Sequence, residues 1–172
     1  KGSLELFADW TGEAPEKTGM DAFPTPVPGK IYLHDKPGAA QSEIRIGKLA
    51  LPFDATGEYY RARLMNFILG GAFNSRINLN LREDKGYSYG ARSGFSGSDV
   101  IGTFTASAGV RTDSTADSIR QFMNEISAYH ETGIAPDELD FTKSAIGQSE
   151  ALDYETPYDK LGFISDIQTY DL

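Results

Sequence analysis

Apolar side chains recur at two spacings along this chain, and the spacing changes from segment to segment. Alternation at every second position marks residues 42–51, 87–95 and 101–110, and more weakly residues 30–34, which is typical of strands with one buried face. Spacings of three and four mark most other segments and predict helices. Because strands come mostly first and helices gather late, we expect an α+β fold with helices packed on one face of an antiparallel sheet.

The alternating segments also predict which side chains face the core. Ile44 and Ile46 are expected to be buried, and residues 30–34 are expected to form a further strand before them. Turn-forming residues at 97–99 predict that the last two alternating segments pair as an antiparallel hairpin. Five residues of the first hairpin strand are predicted to share one face: Tyr87, Tyr89, Ala91, Ser93 and Phe95.

Two helices are predicted ahead of the hairpin. The first ends at the glycine pair 70–71, and the second runs from a cap at Asn74 or Ser75 to about residue 85. Gly86 supplies the left-handed residue with which many helices end. Arg82 would then lie in the last helical turn, and Tyr89 would follow on the strand just beyond.

Three more helices are predicted after the hairpin. The apolar stripe of the first is expected to consist of Ile119, Phe122, Met123 and Ile126. The next starts at Pro136, which suits a first helical position, with Leu139 and Ile146 as its core contacts. The last reaches residue 170, with Leu161 and Ile164 on its apolar side.

Length and composition predict one domain. The chain has 172 residues, of which 40% are hydrophobic and 24% charged, as in ordinary globular proteins. We expect residues 1–26 to be the end of a preceding unit, with Leu4, Phe7 and Trp10 on a helical stripe, followed by a proline-rich linker. Residues 27–172 are expected to form the α+β domain, truncated at its C-terminus.

Several classes of function lack the residues that they require. The chain has no cysteine, and its two histidines, His34 and His130, fit no zinc-binding motif. No serine lies in a nucleophile elbow, so neither a catalytic residue nor a metal ligand is expected in this chain. The net charge of -9 and the acidic last third argue against nucleic acid, and no apolar stretch is long enough for a membrane span.

Arg82 and Tyr89 are the candidate site residues. A guanidinium and a phenol hydroxyl can both donate hydrogen bonds to a peptide carbonyl, and the predicted helix and strand would bring them to one place. The alternative is structural: Arg82 would complement the carbonyl end of its helix, and Tyr89 would pack against neighbours on its strand.

The run LGGAFNSRINLNLREDKGYSYGARS at residues 69–93 resembles the non-catalytic C-terminal domain of the insulinase, or pitrilysin, family of zinc metallopeptidases, including bacterial homologues of the mitochondrial processing peptidase. Weaker similarity covers KPGAAQSEIRIG at 36–47 and GTFTASAGV at 102–110, and LFADWTG at 6–12 looks like the end of the preceding half. The resemblance implies a metal-free peptidase half-domain of the same α+β type.

In that family, two similar domains enclose a chamber, and zinc is held by the other domain. The resemblance therefore implies a partner, the zinc-bearing catalytic domain on the same polypeptide or on a companion subunit, and an unstructured peptide as substrate. It also implies that Arg82 and Tyr89 contact this peptide. The alternative is a structural or assembly role, because relatives of this fold serve as core subunits of respiratory complexes. The compartment, bacterial periplasm or cytoplasm, stays open.

Overall fold

A three-stranded antiparallel sheet forms the centre of the fold. The computed structural model of the chain describes residues 5–9, 11–13, 16, 27, 29–149, 155–170 and 172. The strands are β1 (Gln41–Ala50), β2 (Ser88–Gly97) and β3 (Gly102–Arg111), with β3 between the other two. The predicted hairpin is confirmed, since β2 and β3 are neighbours and antiparallel.

One face of the sheet is buried and the other is open. Along β3 the buried residues are Gly102, Ala106, Ala108 and Val110, while Thr103 on the opposite face is exposed. Two-residue periodicity of this kind follows from the pleat of a strand. The core beneath this face is formed by Ile44, Ile68, Leu69, Ile77, Leu81, Ala91, Ala106, Ala108, Val110, Phe122 and Tyr129. The predicted α+β fold with helices on one sheet face is confirmed.

Helices lie before and after the hairpin. Those before it are α1 (Glu58–Asn66), which continues as a π-helical turn (Phe67–Gly71), and α2 (Arg76–Asn78), which continues as a second π-helical turn (Leu79–Asp84). Those after it are a 3-10 turn (Thr112–Ser114), α3 (Thr115–Thr132), α4 (Pro136–Ser149) and α5 (Pro157–Tyr170). No helix in the described part of the chain is long and apolar enough to cross a membrane.

The predicted strand at residues 30–34 is wrong. These residues form no regular secondary structure, and Ile31, Tyr32 and Leu33 are all exposed. A short segment with alternating apolar residues forms a strand only when another strand pairs with it. No described strand lies beside residues 30–34. Of the helical stripe predicted near the N-terminus, Leu4 and Trp10 lie outside the described residues, and Phe7 is exposed.

The buried faces of the later helices also differ from the prediction. In α3 the buried residues are Ser118, Phe122 and Tyr129, whereas Ile119 and Met123 are exposed. Ser118 is small enough to pack in the interior although its hydroxyl is polar. A prediction based only on apolar residues therefore assigns the wrong face of α3 to the core. In α4 the buried residue is Thr142 and the predicted core contact Leu139 is exposed, and in α5 both Leu161 and Ile164 are exposed.

Candidate functional site

The glycine pair after α1 allows the helix to contact the edge of β2 directly. A Cβ on Gly70 would lie 2.4 Å from the backbone nitrogen of Ser93, which no side chain can tolerate. Asn66 completes this contact: its Nδ2 donates to the Ser93 carbonyl at 2.8 Å, and its Oδ1 accepts from the Ser93 hydroxyl at 2.6 Å. The end of α1 is therefore fixed to the sheet by close packing and buried hydrogen bonds.

Arg82 lies in the second π-helical turn, near the end of the predicted second helix. Gly86 follows with φ of 63°, so the predicted left-handed residue is confirmed. One extra residue per turn rotates the side chains away from their α-helical positions, and such π-helical turns occur frequently at functional sites. The turn type could not be predicted from the spacing of the apolar residues.

The Arg82 side chain is accessible and has only weak partners. It is 34% exposed, and its Nε lies 3.4 Å from the carboxylate of the adjacent Glu83, which is itself exposed. Its guanidinium lies over the ring of Phe73, 4.5 Å from the centroid, in a cation–π contact. An ion pair this exposed contributes little to stability. The guanidinium of Arg82 is therefore positioned mainly by the Phe73 ring and stays accessible to solvent.

Tyr89 is exposed because of a β-bulge. The register between β2 and β3 shifts between Ser88 and Ala91, so Tyr89 does not share the inward face of Ala91 as predicted. Its side chain is 92% exposed. The bulge is closed by Ser88, whose hydroxyl accepts from the Gly90 N–H at 3.0 Å. Bulges of this kind redirect side chains and are frequent beside functional sites. Here the bulge directs the Tyr89 side chain toward solvent.

A groove of about 430 Å³ lies between the glycine-rich turn after α1 and the strands β2 and β3. Phe73, which contacts Arg82, lines the groove, and so does Gly90, which follows Tyr89. Most of the lining is small: Gly70, Gly71, Ala72, Gly90, Ala91, Ser107, Ala108 and Gly109, with Asn78, Phe73, Glu43 and Arg92 as the larger members. Arg82 and Tyr89 do not line the groove themselves, but each lies next to a residue that does: Arg82 against the Phe73 ring, and Tyr89 directly before Gly90. No hydrogen bond joins them within the described part of the chain.

The edge of β2 beside this groove is already occupied. The Ala91 N–H donates to Asn78 Oδ1 at 2.9 Å, and the Ser93 carbonyl accepts from Asn66. The Phe95 carbonyl accepts from the Tyr59 hydroxyl at 3.4 Å. Since these backbone groups have partners, a peptide cannot pair with them as an added strand. A peptide at this place must be held by side chains.

Three polar contacts attach the segment that carries Arg82 to the helices behind it. Arg76 forms a two-point ion pair with Glu138, both oxygens at 2.6 Å, and this hydrogen bonding lowers the pKa of Glu138 and raises the pKa of Arg76. Asn80 donates to Glu125 at 2.6 Å. The hydroxyl of Tyr87 donates to an Asp117 carboxylate oxygen at 3.1 Å, which raises the pKa of Tyr87 and lowers that of Asp117.

The described residues offer no metal site. They contain no group of three or more histidine, cysteine, aspartate or glutamate side chains that could hold an ion. His34 and His130 lie on separate elements, in the segment before β1 and in α3. Within these described residues no donor set suits a zinc ion, and the polar residues that line the groove offer hydrogen bonds and charge.

Two residues of the site were not predicted from the sequence. Phe73 is 66% exposed in the turn after the glycine pair, where it belongs to no apolar stripe. A bulky aromatic side chain in a glycine-rich turn is the signal that could have identified it. Asn78 is buried, and an asparagine within a helical segment is unfavourable without a specific partner, which is a second such signal.

Comparison with known proteins agrees with this architecture. A family model described as the peptidase M16 inactive domain matches residues 3–146. A search of the curated proteins gives no significant match. A crystal structure described as the peptidase M16 inactive domain from Pseudomonas fluorescens is 25% identical, with a TM-score of 0.69 over 78% of this chain and 32% of that one.

Two more distant structures share the fold. A protease from Helicobacter pylori is 17% identical, with a TM-score of 0.67 over 79% of this chain and 33% of that one. A conserved protein from Enterococcus faecalis V583 is 21% identical, with a TM-score of 0.63 over 76% and 30%. The chain therefore spans about a third of the length of these structures. Since the family model covers most of its residues, the chain belongs to the peptidase M16 family, as a non-catalytic domain of the C-terminal type.

Proposed function

We propose that this domain is the metal-free, substrate-binding part of a zinc metalloendopeptidase. It binds an unstructured peptide opposite a zinc-bearing domain, which lies on the same polypeptide or on a companion subunit. The observation that carries the proposal is the accessibility of Arg82 and Tyr89 beside one groove, where Arg82 lies against Phe73 and Tyr89 precedes Gly90, both of which line it. We call these two side chains the clamp.

The groove suits an extended main chain. Its floor of glycine, alanine and serine lets a backbone approach closely, and the occupied edge of β2 leaves the binding of carbonyls to side chains. The Arg82 guanidinium offers several N–H donors in a fixed fork, and the Tyr89 hydroxyl offers one more. Neither contact depends on the side chains of the substrate, which fits a peptidase that accepts varied unstructured chains.

The clamp contributes by orienting the peptide. Zinc on the companion domain would supply the activated water, whereas Arg82 and Tyr89 hold the carbonyls near the bond to be cut. Donors that are already in place lose little freedom when the substrate binds, and they can also stabilise negative charge that develops on a carbonyl oxygen. Cation–π contact with Phe73 restricts Arg82 in advance.

The test is kinetic and uses the complete enzyme with an internally quenched, unstructured fluorogenic peptide. Arg82→Ala and Tyr89→Phe should each lower kcat/KM, by on the order of 100-fold if the lost donor acts in the transition state. Zinc content and melting temperature should stay unchanged. Unchanged kcat/KM in both variants would contradict the clamp.

A structural or assembly role is the second candidate. The exposed apolar side chains Leu161 and Ile164 on α5 favour it, because exposed apolar surface often marks an interface. Under this alternative Leu161→Glu would detach the domain from its companion, measured by sedimentation, while Arg82→Ala would have no effect on any activity. The proposed peptidase role expects the Arg82→Ala effect whatever α5 contacts.

A further inference from the structure

One buried amide, that of Asn78, connects the two sides of the groove. Its Nδ2 donates to the Phe73 carbonyl at 2.7 Å, and its Oδ1 accepts from the Ala91 N–H at 2.9 Å. Only 4% of the residue is exposed, and the bond to Ala91 is itself buried. Each end of this short side chain thus fixes the backbone of a different element.

Each bonded backbone group lies next to one member of the clamp. Phe73 carries the ring against which the Arg82 guanidinium lies. Ala91 ends the bulge from which Tyr89 extends into solvent. Moving either backbone group would move the clamp residue that depends on it, so Asn78 fixes the two sides relative to each other.

Asparagine is the residue that this geometry requires. The Phe73 carbonyl needs a donor and the Ala91 N–H needs an acceptor, and an amide provides both on a side chain short enough to stay in the turn. Aspartate could keep the acceptor but would face the Phe73 carbonyl with a second acceptor. Alanine would leave two buried backbone groups without partners, and the elements would shift to satisfy them.

We propose that Asn78 is a positioning residue that sets the distance between Arg82 and Tyr89 and thereby couples the two halves of the clamp. This inference rests on the proposed function, since it assigns Asn78 a role only through those two side chains. Both ends of its amide are bonded to backbone groups, so this role requires no contact between Asn78 and the substrate.

The chain contains a matched control in Asn66. This residue is equally buried and also joins a helix to the edge of β2 through both ends of its amide. Its side-chain partner is Ser93, which lies outside the β-bulge that exposes Tyr89, and a Cβ on Gly71 would lie 3.5 Å from its Nδ2. Asn66→Ala therefore removes the same kind of contact without touching the backbone beside Arg82 or Tyr89.

The experiment measures kcat and KM of the complete enzyme on the quenched fluorogenic peptide, together with melting temperature. Asn78→Ala should lower kcat/KM by on the order of 100-fold, as expected when binding groups are misplaced by about 1 Å. Asn66→Ala should lower the melting temperature to a similar degree but change kcat/KM by much less. In an Arg82→Ala/Tyr89→Phe background, Asn78→Ala should produce no further loss, because the residues that it positions are absent.

Asn78→Asp distinguishes the effect on Arg82 from the effect on Tyr89, and it is the alternative variant if Asn78→Ala does not fold. It keeps the acceptor for Ala91 but not the donor for Phe73, so its loss of kcat/KM should disappear in an Arg82→Ala background and persist in Tyr89→Phe. Equal losses in Asn78→Ala and Asn66→Ala, or undiminished losses in the double-variant background, would overturn the inference while leaving the clamp intact. Unchanged activity of Arg82→Ala and Tyr89→Phe would overturn the clamp first, and the role of Asn78 with it.

Discussion

Two arginines six positions apart illustrate two uses of one segment. Arg76 is 22% exposed, meets both oxygens of Glu138 at 2.6 Å and also lies over the ring of Tyr129. Arg82 is more exposed and has one weak ion pair with its neighbour Glu83. The first arginine attaches the segment to α4, and the second is left available. Residue type and spacing do not distinguish them, whereas their partners do.

This difference shows where the stability of the site comes from. The backbone of residues 66–91 is held by buried or half-buried contacts that reach distant helices and β2, among them those of Asn66, Arg76 and Asn78. The exposed side chains proposed as the clamp, Arg82 and Tyr89, contribute little to that stability. We therefore expect substitutions at these two positions to leave the fold intact, which the following variants examine.

The largest effect is expected from Arg76. Arg76→Ala should lower the free energy of unfolding by about 2 kcal/mol, because it leaves the half-buried carboxylate of Glu138 without its charged partner. Arg82→Ala should change it by less than about 0.5 kcal/mol, as surface substitutions usually do. Urea unfolding of the chain measures both. Arg76→Lys, which keeps the charge but not the two-point contact, should fall between wild type and alanine. Equal losses of unfolding free energy in Arg76→Ala and Arg82→Ala would contradict the view that only Arg76 has a structural role.

Lowering the pH should remove the stability that the ion pair between Arg76 and Glu138 contributes. The pKa of Glu138 lies below its ordinary value of 4.5, chiefly because Arg76 hydrogen-bonds to it. A lowered folded-state pKa means that the stabilisation is complete above about pH 4.5 and is lost as the pH falls through the lower folded value. Glu138→Gln should therefore be less stable than wild type at pH 7, and the gap should close on acidification. A gap that stays constant down to pH 2 would contradict the ion pair.

Two tyrosines extend the comparison at smaller magnitude. The buried Tyr129 hydroxyl donates to the Met65 carbonyl at 2.9 Å, so Tyr129→Phe should cost about 1 kcal/mol of unfolding free energy. Tyr89→Phe removes a hydroxyl in solvent and should leave stability unchanged while lowering peptide hydrolysis. Melting temperatures and peptide hydrolysis rates of both variants test whether Tyr129 affects stability and Tyr89 affects activity. A large loss of stability in Tyr89→Phe would mean that Tyr89 has a structural role.

The smallest effect is expected at Glu83. Its carboxylate is 3.4 Å from Arg82, and both side chains are accessible, so Glu83→Gln should leave the melting temperature unchanged. Freed from this pair, Arg82 should bind a peptide at least as well as in wild type. A weaker peptide Kd in Glu83→Gln, measured by fluorescence anisotropy, would show that Glu83 helps to orient Arg82.

The sequence predicted the strands because alternation of apolar residues is a local signal, as in residues 42–51 and 101–110. It also predicted the end of the second helix, where Gly86 alone provides the signal. The bulge beneath Tyr89 could not be predicted, because a register shift depends on the pairing of β2 with β3. Nor could the contacts of Asn78 with Ala91 and of Arg76 with Glu138, since the partners are far apart along the chain.

Contact between the clamp and a peptide can be tested directly by photo-crosslinking in the complete enzyme. Tyr89→p-benzoylphenylalanine places a photoreactive aromatic group at an exposed position directly beside the groove, and the same replacement at Tyr158, exposed on α5, is the matched control. We predict that irradiation with a labelled unstructured peptide crosslinks it at position 89 and not at 158, and that excess unlabelled peptide suppresses the product. No crosslink at 89, or equal labelling at both positions, would contradict the proposal that this groove binds the substrate.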